Sequence, residues 1–208
     1  MKICGSLRRL SLLTIAALAL VAGTSEPALA STTGCPAYSS AQYFLPWLDP
    51  IYYTLAPNGG LENGATSWSL KGGATVVPGS ESFHVRGATD SHSLALPSGS
   101  SATTSTTCVH TLDATVRLFV LNSGSPLSTL KVEVLYKDAL GISRSQAVAI
   151  LPGSGRWTAS LPTLLLANLL YPPLLTDGHV DIALRFTPLG VLGNWRIDDV
   201  YVDPFKGT

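Results

Sequence analysis

Short runs in which apolar and polar residues alternate recur along the chain, and glycine, proline and serine residues separate them. In the clearest run, every second residue from Val180 to Phe186 is apolar. A period of two is typical of a strand that buries one face. Similar runs predict further strands at 66–70, 74–77, 93–96, 102–109, 114–121, 130–136, 146–151 and 157–161. No run has the period of a long amphipathic helix.

The closing run, 194–203, departs from strict alternation. Ile197 occupies an odd position, whereas Val200 and Val202 occupy even positions. Their side chains can share one face only if the register shifts by one residue. One extra residue at Asp198 and Asp199, a β-bulge, produces that shift and turns both carboxylates toward one place. We therefore predict a bulged last strand.

Many short strands with turn signals between them predict an all-β sandwich. The length of 208 residues leaves room for one domain after any leader is removed. We divide the chain into a signal peptide at 1–30, an aromatic and proline-rich N-terminal arm at 31–57, and a β-sandwich domain at 58–208.

The first thirty residues have the features of a secretory signal. Lys2, Arg8 and Arg9 precede an apolar run at 10–22, and small residues flank Leu29 at the expected cleavage site. The alternative is an N-terminal membrane anchor, but the apolar run is shorter than the roughly 20 residues that span a bilayer. We therefore expect a secreted, extracellular protein with no membrane span in the mature chain.

The cysteine count adds a covalent constraint. Cys4 lies in the leader, which leaves Cys35 and Cys108 in the exported chain. An even pair in an oxidising compartment predicts a disulfide, worth roughly 4 kcal/mol for so long a loop. Two buried free thiols are the alternative. A metal site is disfavoured, since no histidine or third cysteine lies at ligand spacing.

The arm and a leucine-rich segment each allow two interpretations. The aromatic residues of the arm can cover the core or form a ligand platform, and packing is the commoner use. The segment 161–175 can be core or an end cap of the sandwich, or an apolar patch that binds a partner. The equal numbers of basic and acidic residues, 13 of each, give no electrostatic case for nucleic acid.

Two segments resemble a known family. The opening 58–62, with the sequence Asn-Gly-Gly-Leu-Glu and Trp68 six residues later, resembles the first strand of many carbohydrate-binding modules. The closing 195–202 resembles their last strand. These modules are jelly-roll sandwiches of the galactose-binding-like type, so the resemblance implies that fold. The chain also resembles a group of secreted bacterial proteins, which implies no function.

The resemblance further implies a structural calcium where the first and last strands meet. Glu62 matches the acidic residue of the opening motif, and Asp198 and Asp199 match the closing pair. Carboxylate oxygens are suitable calcium ligands. In the alternative interpretation, one aspartate caps the bulge through backbone N–H groups while the other is solvated. No other cofactor is expected.

No catalytic motif is present. The chain lacks a Gly-x-Ser-x-Gly elbow, a His-Glu-x-x-His zinc motif and a phosphate loop. Asp90, Ser91 and His92 are the residue types of a triad, but adjacent residues on a strand point to opposite faces. We therefore expect a protein that is not an enzyme.

Sugar binding would use aromatic faces with a few polar groups at the rim. The candidate ligand-binding residues are Trp47, Tyr136, Trp157, Tyr171 and Tyr201. Trp68, Trp157 and Trp195 border alternating strands, which favours core positions for them. The central strands lack an outward aromatic row, and we expect a polar face there, lined by Arg117, Lys131, Glu133, Asp181 and Arg185.

The resulting hypothesis is a secreted, non-catalytic binding module for carbohydrate or cell-envelope glycan. The alternative is a structural or adhesive extracellular protein that binds a protein partner through the arm and the leucine-rich segment. A hydrolase is a minor alternative.

Overall fold

The computed structural model describes residues 35–110, 114–138, 140–165 and 179–203 of the chain. They form a jelly-roll sandwich of two antiparallel sheets, with one short 3-10 helix at Leu45–Trp47. The strands are β1 (Thr54–Leu55), β2 (Trp68–Lys71), β3 (Thr75–Pro78), β4 (His92–Pro97), β5 (Ser101–Thr104), β6 (Thr107–His110), β7 (Thr115–Asn122), β8 (Thr129–Lys137), β9 (Ser143–Pro152), β10 (Thr158–Ala159), β11 (Thr163–Leu164), β12 (His179–Leu189) and β13 (Asn194–Asp203).

The two sheets are built by strands that are distant in the chain. The first sheet has the order β10-β7-β13-β4-β3, with β1 beside β13 and β11 beside β7. The second has the order β2-β5-β12-β8-β9, with β6 beside β12. The all-β prediction is therefore confirmed. The predicted run 102–109 is interrupted, because β5 and β6 are separate strands that both pair with β12.

The predicted bulge is present in β13. The register between β13 and β7 shifts between Asp198 and Tyr201, and Asp199 has a φ of 47°, in the left-handed region. Ile197, Val200 and Val202 all enter the core between the sheets as a result. The shift lets apolar residues of both parities face the same core.

The same core contains the alternating residues of β12, β8 and β7. Trp68 and Trp195 are buried there, as predicted from the strands that they border. Trp195 donates its indole N–H to Ser128 Oγ at 2.9 Å, which satisfies its polar atom. Leu165 is also buried, whereas Leu161 and Leu164 are exposed. The rest of the leucine-rich segment lies outside the described residues.

Strand β7 is buried on both faces, and this corrects one prediction. Arg117 does not line an outward polar face. Its guanidinium is buried and donates to Asp49 Oδ2 at 2.6 Å and to the Ser160 carbonyl at 2.9 Å. The arm covers this side of the first sheet, so the residues that alternate with the core are buried too.

The arm builds a second, smaller core against the first sheet. Phe44 and Tyr53 from the arm pack with Phe119 of β7 and Tyr201 of β13, and all four are fully buried. Backbone pairing continues this contact, since Leu55 in β1 pairs with Tyr201. The Arg117 guanidinium lies 4.1 Å from the centre of the Phe44 ring, a cation–π contact.

The disulfide predicted between Cys35 and Cys108 is present, with a Cα–Cα distance of 5.4 Å. It joins the start of the arm to β6 in the second sheet. Tyr38 reinforces the junction, because its hydroxyl contacts the backbone N–H and carbonyl of Cys108, each at 3.2 Å. Within the described residues, no helix has the length and apolar character needed to cross a membrane.

Candidate functional site

The arm and the loop between β3 and β4 enclose an open pocket of about 730 Å³, which we call the aromatic pocket. It is lined by Ala41, Gln42, Tyr43, Leu45, Pro46, Trp47, Phe83 and Val85. None of these lining residues is charged. Its volume lies within the range of roughly 300–1,000 Å³ that is typical of small-molecule sites.

The rings of the aromatic pocket rest on buried rings beneath them. Trp47 and Phe83 both contact Phe119, at centroid distances of 5.4 and 5.5 Å. Tyr43 stacks on Tyr201 at 4.4 Å. Phe83 remains 46% exposed. The pocket thus has partly exposed aromatic walls on a rigid base, which is the arrangement needed for stacking against an apolar ligand face.

Glu81 holds the loop wall of the aromatic pocket. Its side chain is buried and accepts hydrogen bonds from the backbone N–H groups of Phe83 and Val85, the latter at 2.8 Å. His84, between them, has a φ of 49°, a conformation that costs on the order of 1 kcal/mol for such a residue. The paired hydrogen bonds stabilise this turn and fix both pocket residues.

Asp198 connects the bulge to this loop. Its carboxylate accepts hydrogen bonds from the backbone N–H groups of Glu81 and Asp199, each at 2.8 Å. Burial, and then the neighbouring Asp199 carboxylate, raise the pKa of Asp198 to about 8, although the two N–H groups oppose this. Asp198 therefore caps the bulge, as one alternative predicts.

Asp199 is not solvated, in contrast to that alternative. It is 1% exposed, and neither of its carboxylate oxygens has a hydrogen-bond partner among the described residues. Arg86 Nε lies 3.7 Å from Asp199 Oδ1, an ion pair without a hydrogen bond. Burial, followed by the charge of Asp90, raises the pKa of Asp199 to about 7. A buried carboxylate of this kind is suited to a cation.

Glu62 is held by the start of β4. Its carboxylate accepts hydrogen bonds from the backbone N–H groups of Ser91 and His92, at 2.8 and 2.9 Å, and lies 3.0 Å from His92 Nδ1. Burial acts to raise its pKa, but these bonds outweigh burial and lower the pKa to about 2. Arg86 lies between Glu62, Asp90 and Asp199 and supplies positive charge to all three.

The calcium hypothesis stays a prediction. Of its three proposed ligands, Glu62 and Asp198 accept hydrogen bonds, whereas Asp199 alone has unbonded oxygens. No group of three or more His, Cys, Asp or Glu side chains in the described residues is arranged to hold a metal. The Arg86 guanidinium supplies a positive charge beside Asp199 without a metal ion.

The serine and histidine near Glu62 are not arranged as a catalytic triad. Ser91 Oγ and Glu62 Oε2 both contact the same ring atom, His92 Nδ1, at 3.0 Å. A triad uses one ring nitrogen for the acid and the other for the nucleophile. Asp90, the third residue of the sequence motif, pairs with Arg86.

The outward face of the second sheet is polar, as expected for Lys131, Glu133 and Arg185. Arg185 donates two hydrogen bonds of 2.9 Å to Glu133, and Lys131 Nζ lies 3.2 Å from the same carboxylate. The pKa of Glu133 is lowered to about 2, chiefly by the hydrogen bonds from Arg185. Asp181 is exposed on the same strand as Arg185. This network consists of charged side chains and offers no aromatic ring on which a sugar could stack.

The predicted ligand-binding aromatics lie in different places. Trp47 lines the aromatic pocket. Tyr136 is 5% exposed and belongs to the sandwich core, so little of its ring is accessible. Trp157 is half-buried against the second core, so the sandwich-core position expected for it is wrong. Tyr201 is buried within the second core. Tyr171 lies outside the described residues.

Sequence reasoning missed Phe83 and Glu81. Both lie in a segment with no strand period, so alternation carries no information there. The nearest signal is the turn punctuation around them, with Pro78 and Gly79 before and Gly87 after. Nothing in that pattern indicates that the loop meets the arm.

The chain matches no protein-family model and no curated protein. Among solved structures it is similar to the CBM22-1 xylan-binding domain from Paenibacillus barcinonensis, with 16% identity, a TM-score of 0.48, and coverage of 72% of this chain and 94% of that one. A Clostridium thermocellum endo-1,4-β-D-xylanase structure with CBM22-1 and GH10 modules, complexed with xylohexaose, has 18% identity, a TM-score of 0.48, and coverages of 69% and 27%. The enzymatically active domain of tailspike protein 4 from bacteriophage CBA120 has 14% identity, a TM-score of 0.47, and coverages of 72% and 21%.

Carbohydrate-binding modules are thus among the structures to which the chain is similar, as the motifs at its two ends predict. The chain spans 27% of the xylanase chain and 21% of the tailspike chain.

Proposed function

We propose that the protein is a secreted, non-catalytic carbohydrate-binding protein, and that a polysaccharide or cell-envelope glycan binds in the aromatic pocket. The observation that carries this proposal is the pair Trp47 and Phe83, which line an uncharged open pocket on a buried aromatic base. The disulfide between Cys35 and Cys108 is consistent with an oxidising compartment.

The chemistry of the pocket suits a sugar ring. A pyranose has C–H groups on its faces, which stack on aromatic rings, and hydroxyl groups at its edge, which need polar partners. The walls of the aromatic pocket supply the rings, and Gln42 is the amide residue of its lining, with its side-chain nitrogen donating to the Pro50 carbonyl at 2.8 Å. The second sheet offers the ligand a face of paired charges instead, so we place the ligand at the arm and not on that sheet.

A glycan array, followed by affinity electrophoresis on the polysaccharides that bind, tests the proposal. Phe83→Ala should weaken binding on the order of tenfold, because a stacked aromatic contributes about 0.5–1.5 kcal/mol in addition to its buried area. Trp47→Ala should have at least as large an effect on binding. Its melting temperature must be measured too, since Trp47 also packs on Phe44.

Tyr52→Ala is the matched control. Tyr52 is an aromatic residue of the same arm that is 57% exposed, but it does not line the aromatic pocket. Its removal should leave binding unchanged. If no glycan binds, or if Tyr52→Ala and Phe83→Ala reduce binding equally, the proposed site is wrong.

Protein binding is the second candidate, and exposed leucines of the arm favour it. Leu45 and Leu48 are 52% and 93% exposed at the helix that carries Trp47. Exposed aliphatic side chains beside aromatic ones are common in protein interfaces. A Leu48→Ser variant separates the candidates, because it should abolish adhesion to a protein partner and leave glycan binding intact.

A further inference from the structure

The two principal rings of the aromatic pocket stand at right angles. The Trp47 and Phe83 centroids are 5.0 Å apart, with an angle of 86° between the ring planes. Both rings rest on Phe119, which is fully buried. The buried ring, together with the hydrogen bonds that Glu81 accepts from the backbone N–H groups of Phe83 and Val85, fixes this angle.

This geometry forms a corner and not a platform. A ribbon-like chain has nearly parallel sugar faces and stacks on coplanar rings, whereas a helical chain turns its successive faces and needs uncovered rings that are separated along it. In an edge-to-face pair such as this one, the edge of one ring covers the face of the other. At 86° and 5.0 Å, Trp47 and Phe83 cannot stack on two consecutive sugars of one chain. One ring can stack on a sugar face while the other contacts the edge of that same sugar.

The charges around the pocket restrict the ligand further. The lining residues are uncharged. The acidic and basic residues of the same loop are already engaged: Arg86 pairs with Asp90, and the buried Glu81 carboxylate accepts the backbone N–H groups of Phe83 and Val85. An ionised uronate or phosphate in the pocket would therefore lose its hydration without gaining a counter-charge from the lining, which is unfavourable.

We infer that the aromatic pocket binds the single terminal sugar of a neutral glycan, and not the interior of a chain or a flat crystalline surface. This inference rests on the proposed function, since it concerns the same pocket. It implies that a second or third sugar adds little affinity, and that a long polymer offers one site for each chain end.

Titration calorimetry with graded oligosaccharides tests this inference. The probes are neutral gluco-, xylo-, manno-, galacto- and N-acetylglucosamine oligosaccharides of two to six units, with oligogalacturonides as the acidic comparison. For any neutral series that binds, affinity should stay within about threefold across lengths, whereas each additional subsite worth 1.4 kcal/mol would give tenfold. A long polymer of that series should saturate at one protein for each chain.

The outcomes separate the two proposals. If no series binds, the proposed function fails and this inference fails with it. If binding occurs and Phe83→Ala weakens it, but affinity rises tenfold with chain length or many proteins bind each polymer, the glycan function stands and the terminal-sugar inference is refuted. Exclusive binding of the oligogalacturonides likewise refutes it.

Discussion

Among the polar contacts of the arm, the buried ion pair between Asp49 and Arg117 should contribute most to stability, so its loss should lower the free energy of unfolding the most. Their side chains are 7% and 3% exposed, and Arg117 Nη1 lies 2.6 Å from Asp49 Oδ2. The same carboxylate accepts hydrogen bonds from the Tyr53 hydroxyl at 2.9 Å and the Ile51 N–H at 3.2 Å. Asp49→Ala leaves all three donors without this acceptor.

We expect Asp49→Ala to lower the free energy of unfolding by about 3–5 kcal/mol, because it leaves a buried guanidinium uncompensated. That loss is a large fraction of the roughly 5–15 kcal/mol that stabilises an ordinary domain. Urea unfolding, followed by tryptophan fluorescence and by circular dichroism, measures it. The double variant Asp49→Leu with Arg117→Met should recover much of the loss, since it removes both charges.

The control is Arg144→Ala. Arg144 forms an ion pair of 2.8 Å with Asp138, but its side chain is 49% exposed. Exposed pairs contribute about 0–1 kcal/mol, so this variant should remain close to wild type. If Asp49→Ala costs no more than Arg144→Ala, the arm is not packed on β7 as described, and the base of the aromatic pocket is lost with it.

Three further results are expected. Cys108→Ser should lower the free energy of unfolding by about 4 kcal/mol, and a reductant should have the same effect on wild type but none on the variant. The lowered pKa of Glu133 means that its carboxylate stabilises the fold above the ordinary glutamate pKa, and that this stabilisation is lost as pH falls toward 2. In acid unfolding titrations, the free energy of unfolding of Glu133→Gln should therefore fall by on the order of 2 kcal/mol less than that of wild type. If calcium binds at Asp199, EDTA should lower the melting temperature, calcium should restore it, and Asp199→Asn should abolish the response; an unchanged wild-type melting curve refutes the site.

The β-strands and the bulge could be predicted because their signal is local. The parity of Ile197 against Val200 and Val202 requires a register shift whatever the rest of the fold is. The structure, and not the sequence, explains why glycine is needed shortly before Glu62. A Cβ at Gly59 would lie 2.5 Å from the Val200 carbonyl, since the opening turn and the closing strand share backbone hydrogen bonds there.

Arg117 shows what alternation cannot reveal. Period two identifies which residues share a face with Val116, Leu118 and Val120, and Arg117 is correctly placed on the opposite face of β7. The pattern does not say what covers that face. Asp49, which pairs with Arg117, lies 68 residues away in sequence. The alternation pattern of a strand is the same whether the polar residue on its outer face contacts water or a buried carboxylate.

Asp198 in the last strand connects the sandwich to the candidate site through a contact that the sequence motif does not predict. From sequence, Asp198 is a metal ligand or a bulge cap. In the structure it accepts the backbone N–H of Glu81, 117 residues away, and Glu81 in turn accepts the N–H groups of Phe83 and Val85. Because backbone donors of the pocket loop are satisfied by buried acids, the position of the Phe83 ring depends on where the bulge places Asp198. The bulge in β13 therefore positions the loop wall of the aromatic pocket, which carries Phe83. The ion pair between Asp49 and Arg117 positions the other wall, which the arm forms.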